Sequence, residues 1–201
     1  MKEKLRRGIG LILIIVGLAI IGTVIYRKME TTEKQKELQN ILEQVINEEP
    51  RELTEEEEEN LINGYKPIAL IEIPSINLSQ GLVEGISDDV LQYYLGHFEN
   101  SAKPGENGNF AIAGHRVSDY SEAFVNLYKV EIGDKINVKA NKKNYVYEIT
   151  ENYIVSPDRV DVLDNTEDAT ITLVTCTVGA KERVIVKGKL VETEDLKPEG
   201  E

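Results

Sequence analysis

The run Gly8 to Tyr26, GIGLILIIVGLAIIGTVIY, carries no charged residue, and it restricts what this chain can be more than any other stretch. About 20 apolar residues suffice to cross the hydrocarbon layer as a helix. No polar face interrupts the run, so it reads as a membrane span and not as the core helix of a soluble domain. Lys2, Lys4, Arg6 and Arg7 precede it, whereas Arg27 and Lys28 behind it are soon diluted by Glu30 and Glu33. That asymmetry keeps the N-terminus in the cytoplasm and sends the rest outside. A cleaved leader is the competing reading, but the small-x-small triplet Gly17-Leu18-Ala19 lies inside the apolar run and none follows it where a peptidase would cut. A retained single-pass anchor at residues 1–27 is the expectation.

Residues 28–66 are rich in Glu, Lys and Gln, with Leu38, Ile41, Leu42, Val45 and Ile46 at helical spacing. They read as an acidic, partly helical linker that Pro50 and the run Glu55 to Glu59 should end, a spacer between membrane and domain. The net charge of −13, gathered partly there, excludes an electrostatic nucleic-acid partner. From Pro67 the texture changes to short β-type runs: Ala69–Ile73, Leu78–Val83, Asn109–Ala113, Lys135–Val138, Tyr145–Ile149, Ile154–Val155, Thr170–Thr175 and Val184–Leu190. Gly133-Asp134 and the stretch 141–144 read as hairpin turns, and Asp88 to Leu95 as one short helix capped by Ser87 or Asp88 and stopped at Gly96. The expectation is an all-β barrel or sandwich with short helices over residues 67–193, followed by a polar tail, 194–201.

Cysteine usage points toward chemistry. A domain sent to an oxidising space with Cys176 as its one cysteine keeps a free thiol. Strand alternation puts Thr170, Thr172, Val174 and Cys176 on one face, with the sulfur at the strand's end. A lone cysteine is also an ordinary small core residue, so its surroundings must decide. A nucleophilic thiol needs a base or cation beside it. His115 ends the strand Asn109–Ala113, where Gly114 lets the backbone turn; His97, just past the short helix, reads as a surface or turn histidine. Acyl transfer also needs a group to hold an oxyanion. Arg183, seven residues after Cys176 (183 − 176), opens the next strand and meets Cys176 at one rim if the two strands are antiparallel. A surface salt bridge is the alternative for Arg183, and Arg116 and Arg159 compete with it on composition.

Taken together, Ala111-Ile-Ala-Gly-His-Arg116, Thr172-Leu-Val-Thr-Cys-Thr177 and Arg183 heading a Val-Ile-Val strand resemble the sortase family, in which TLxTC and a downstream Arg mark the site. Ile71-Glu-Ile-Pro74, Gly96-His-Phe98, Pro104-Gly105, Gly108-Asn109 and Val155-Ser-Pro157 are similar in order and spacing, so the resemblance covers about 67–191. It implies a closed sortase-type barrel of about eight strands and a thiol transpeptidase on the outer face of a Gram-positive cell. Cys176 would attack the Thr-Gly bond of an LPXTG-like signal on a secreted protein, and a cell-wall precursor amine, carried on lipid II, would resolve the thioacyl enzyme. His115 would serve as acid and base, and Arg183 as oxyanion and substrate holder. Ala113 and Thr175 would floor the peptide groove, with Val160, Val162 and Leu163 lining its wall; closing the barrel core is the equally good alternative for these five.

The short Cys-to-Arg loop, and no second apolar run after Leu190, resemble housekeeping or class D sortases more than pilin-polymerising ones. A pilin polymerase, using a lysine acceptor, remains an alternative, as does a non-catalytic membrane-tethered barrel that binds a partner. Some relatives hold calcium near the groove, and Glu99, Glu106 and Asp158 are the carboxylates such a site would draw on here. Scattered acids in an acidic chain do not make a site. No metal or other cofactor is expected.

Overall fold

The structure is a computed structural model and describes residues 2–46, 65–117 and 123–196. Helix α1 spans Lys2–Ile46 and contains the segment Arg6–Arg27, long and apolar enough to cross a membrane. The apolar side chains described in that segment are exposed, Leu13 66% and Leu18 63%, as a lipid-facing helix requires. This supports the single-pass anchor. Pro50 and Glu55 to Glu59, expected to end the linker helix, lie outside the described residues.

Eight strands close into a barrel in the order β1-β2-β3-β4-β7-β8-β6-β5. They are β1 (Pro67–Ile73), β2 (Leu78–Glu84), β3 (Leu95–His97), β4 (Gly108–Ala113), β5 (Lys135–Ala140), β6 (Lys143–Val155), β7 (Ala169–Cys176) and β8 (Arg183–Asp195). Alternation builds the interior. Ala69, Ile71 and Ile73 of β1, Ile136, Val138 and Ala140 of β5, Phe110 and Ile112 of β4, and Ile171 and Leu173 of β7 all enter one buried cluster. The β5–β6 hairpin turns through Asn141 and Lys142, whose φ values of 51° and 59° match the two-residue loop whose twist suits antiparallel strands.

Four sequence expectations change. Gly133-Asp134 is not a hairpin turn: it leads into β5, with Gly133 at φ 95° and its N–H given to the Ile149 carbonyl. The runs read as Tyr145–Ile149 and Ile154–Val155 are one strand, because a register shift between Ile149 and Glu151 against β8 breaks the alternation. The short helix, α2, covers Asp88–Tyr93, with Ser87 Oγ accepting from the Val90 N–H at 3.5 Å. It stops before Leu95 because Leu95–His97 form β3, parallel to β2 and antiparallel to β4, a strand too short to show a period. His97 is thus no surface or turn residue; it is 1% exposed.

The extension of α1 beyond the apolar run leans on the barrel wall. Tyr93 of α2 donates its hydroxyl to Glu30 Oε1 at 3.4 Å, and Lys34 Nζ sits 3.8 Å from the Tyr93 ring centroid.

Candidate active site

Parallel strands β4 and β7 lie side by side with Ala113 opposite Val174. The Gly114 N–H continues the ladder by donating to the Val174 carbonyl at 3.1 Å. Two places further along each strand stand His115 and Cys176, so the register carries both to the same end of the sheet. On the other side of β7, antiparallel pairing sets Cys176 against Arg183, and β6 sets Val155 against Arg183. One row across the barrel rim therefore holds imidazole, thiol and guanidinium. All three residues are half-buried, reachable from solvent without being detached from the fold.

Local chemistry fixes the row. Thr175, 3% exposed, donates its hydroxyl to the Gly114 carbonyl at 2.8 Å, tying the residue before Cys176 to the residue before His115. The next residue's carbonyl, that of His115, accepts from the Phe124 N–H at 3.1 Å. Gly114 is needed for space and not, as the sequence reading had it, for turning freedom. A Cβ there would stand 2.5 Å from Leu95 Cδ2 and 2.6 Å from Phe124 Cδ2. Among the described residues the His115 ring makes no hydrogen bond, and Arg183 forms no ion pair. Arg183 Nη1 donates to the carbonyls of Ala180 at 3.3 Å and Glu182 at 3.2 Å, which ties the side chain to the Cys-to-Arg loop through neutral acceptors. A guanidinium with no ion pair among the described residues, paired across the strands with the residue that bears the thiol, can offer N–H donors to developing negative charge.

The competing arginines differ. Arg159 is spent locally on Asp161, Nε and Nη2 each at 2.7 Å from one carboxylate oxygen. That hydrogen-bonded pair holds the Asp161 carboxyl below its usual range. Arg116 lies over the Tyr128 ring, 5.8 Å from its centroid.

Of the residues expected to line a groove, Ala113 and Leu163 are half-buried, Val160 is 71% exposed on a 3-10 turn, Val160–Leu163, and Val162 on the same turn is 5% exposed. Glu106 accepts from the Lys103 N–H at 3.0 Å, and Asp158 accepts from the Ser156 hydroxyl, which lowers its pKa. Among the described residues no three His, Cys, Asp or Glu side chains group to hold a metal.

Two buried polar constellations escaped the sequence reading. His97 Nδ1 stands 2.5 Å from Glu84 Oε1, and its Nε2 stands 2.9 Å from Ser101 Oγ and 3.0 Å from the Ala102 carbonyl. Asn109 and Thr172, both 1% exposed, are joined by a 2.7 Å hydrogen bond from Thr172 Oγ1 to Asn109 Oδ1. A signal for half of the second pair lies in the sequence: Asn109 is the one polar side chain of β4, whereas Thr172 is one of three threonines on β7 and does not stand out.

A half-buried cysteine at a strand end, with a histidine and an arginine at the neighbouring strand ends of the same barrel rim, is the equipment of a cysteine-dependent acyl-transfer enzyme. The Sortase domain model matches residues 71–191. The chain belongs to the sortase family, the cysteine transpeptidases, and its domain is of that kind. It is 39% identical over 94 residues to Sortase A of Listeria monocytogenes, covering 46% of this chain and 42% of that protein. It is 33% identical over 128 residues to Sortase D of Bacillus subtilis, covering 61% and 63%. These matches span less than two thirds of the curated relatives' own lengths. Among solved structures, a Clostridium perfringens Sortase D5 transpeptidase superposes with a TM-score of 0.64 at 38% identity, over 83% of this chain and 99% of that one.

Proposed function

We propose that this protein is a membrane-anchored sortase that cuts an LPXTG-like signal on secreted proteins between Thr and Gly and joins the new carboxyl end to a cell-wall precursor amine. The observation that carries this reading is the register row through His115, Cys176 and Arg183. Cys176 Sγ attacks the Thr carbonyl carbon, and its proton is taken up at the His115 side of the row. The tetrahedral oxyanion is held by Arg183 Nη and Nε hydrogens. As the C–N bond breaks, His115 protonates the leaving Gly amine, and a thioester remains on Cys176. The incoming amine gives a proton to His115 as it attacks the thioester; the C–S bond breaks and the thiol is restored.

The basic residues Lys2, Lys4, Arg6 and Arg7 favour a cytoplasmic N-terminus, with the barrel outside, where sorting signals and precursor amines meet. The short loop between β7 and β8 favours a housekeeping or class D role over pilin polymerisation. The test is incubation of the protein with an LPXTG-type fluorogenic peptide, with and without an amine acceptor. Cleavage that the amine diverts into a transpeptidation product supports the reading. Absence of cleavage, with a Cys176 that alkylates only after unfolding, would leave a binding barrel instead.

A further inference from the structure

The proposed mechanism makes no use of Asn109, yet this residue is bonded in every direction. Its neighbours Phe110 and Ile112, like Ile171 and Leu173 on β7, point into the barrel core. Alternation therefore puts Asn109, Thr172 and Cys176 on the opposite, outward face. There the Asn109 carboxamide grips the segment between β6 and β7: Nδ2 donates to the Asp164 carbonyl at 3.2 Å and to the Val162 carbonyl at 3.4 Å. The Asn109 backbone N–H donates to Asn165 Oδ1 at 3.1 Å. Thr172 Oγ1, donating to Asn109 Oδ1 at 2.7 Å, settles which way the amide points. Gly108 leaves room for this approach, because a Cβ there would lie 2.6 Å from Asn165 Oδ1.

A carboxamide suits this place and a carboxylate does not. Two N–H groups on one nitrogen meet two carbonyls while the oxygen takes the Thr172 proton; Asp would turn acceptor against acceptor. The tether also sits at a telling distance. Thr172 and Cys176 are four residues apart on one strand (176 − 172), about 13 Å at strand rise. An extended peptide spans the same length with four residues, the stretch from the first residue of a sorting signal to the Thr carbonyl at the sulfur.

We propose that Asn109, oriented by Thr172, is a positioning residue that fixes the segment bearing Val160 and Leu163 above the strand floor and so sets the fit of the leading residues of the sorting signal. This rests on the sortase reading of the site. The experiment uses the full chain in detergent micelles, comparing wild type, Asn109→Asp, Thr172→Val and Thr172→Ser. Cleavage of an LPXTG-type peptide gives kcat and KM, hydrogen exchange follows residues 156–168 against β4 and β7, and iodoacetamide reports the reactivity of Cys176. Expected is a KM raised about tenfold or more in Asn109→Asp and Thr172→Val with kcat within about twofold. Faster exchange is confined to 156–168, alkylation keeps its rate, and Thr172→Ser behaves as wild type. A fall in kcat at constant KM, or faster exchange throughout β4 and β7, overturns the proposal. If the wild type cleaves no sorting-signal peptide, the sortase reading fails by itself. The tether is then judged by exchange alone: a rise confined to 156–168 supports it and no rise there overturns it.

Discussion

The two histidines occupy opposite kinds of surroundings, one on β3 and one just past β4. His97 is 1% exposed, its ring tilted against that of Phe110 with centroids 5.3 Å apart, with Glu84 on one nitrogen and Ser101 on the other. Carboxylate, imidazole and hydroxyl stand there in the order of a hydrolytic triad. The hydroxyl is already committed, because Ser101 Oγ also accepts the Ala111 N–H at 3.1 Å, and the ring is closed to solvent. His115 is half-buried, with a ring that makes no hydrogen bond among the described residues and with only its backbone pinned. A locked imidazole braces three strands; an unlocked one can exchange protons. Completeness of the hydrogen bonds, more than the presence of plausible partners, distinguishes a locked histidine from one free to react.

The largest effect that could break this contrast is at the rim. Cys176→Ala is expected to lower the transpeptidation rate by about 10⁴-fold or more, and His115→Asn by about 10²–10⁴-fold. Both variants should unfold at the wild-type temperature in a calorimetric scan. Loss of stability in His115→Asn would mean that its ring is a brace after all. Arg183→Ala follows, with an expected fall in kcat of about 10²–10³-fold and partial recovery in Arg183→Lys, which keeps charge but not the planar fork. Recovery to the full rate would assign Arg183 a charge role without directed hydrogen bonds.

His97→Leu should behave in the reverse way. It strips a partner from each of the half-buried Glu84 and Ser101, at a cost of about 1–3 kcal/mol in all, since water can reach the Glu84 carboxylate. The melting temperature should fall by several degrees while kcat per folded molecule holds. A kcat that collapses in a folded His97→Leu protein would move the chemistry to β3. Thr175→Val lies between the two regions: it orphans the buried Gly114 carbonyl, costs about 1–3 kcal/mol, and loosens the tie between the His115 and Cys176 strand ends. Stability and kcat should drop together, each moderately, in denaturant titration and peptide cleavage.

The contrast also shows what was legible beforehand. The anchor and seven of the eight strands follow from local patterns, because an apolar run and a period of two are carried by neighbouring residues; His115, Cys176 and Arg183 stand out together only through the family resemblance, since their residue types and positions alone leave competitors open. β3 was not legible, since Leu95–His97 has three residues and its pairing with β2 and β4 is decided by other parts of the chain. His97 was misplaced for that reason. Asn109 was read as part of a motif, but its partners Val162, Asp164 and Asn165 lie more than fifty positions away, at separations no local pattern encodes. Val162, grouped with Val160 and Leu163 in the sequence, differs from them in being buried on the 3-10 turn, a difference that three neighbouring apolar residues do not reveal.

The smallest expected effect tests the brace through pH. Burial pushes the Glu84 carboxyl upward, but the hydrogen bond and charge of His97, with lesser help from Lys103 and Lys66, outweigh it and hold the group below the usual carboxylate range. A carboxyl whose pKa is lower folded than unfolded binds fewer protons in the native state. Its contribution to stability is therefore complete above the ordinary glutamate pKa, about 4.3, and is lost as pH falls below that value through the folded-state pKa. Glu84→Gln should accordingly melt below wild type at neutral pH, and the gap should shrink as pH is lowered from about 5 toward 3. Cleavage activity per folded molecule should be the same for both proteins across that range, since the pair touches no residue of the rim. A gap that stays constant with pH would mean that Glu84 acts through shape alone and that its charge adds nothing to holding His97.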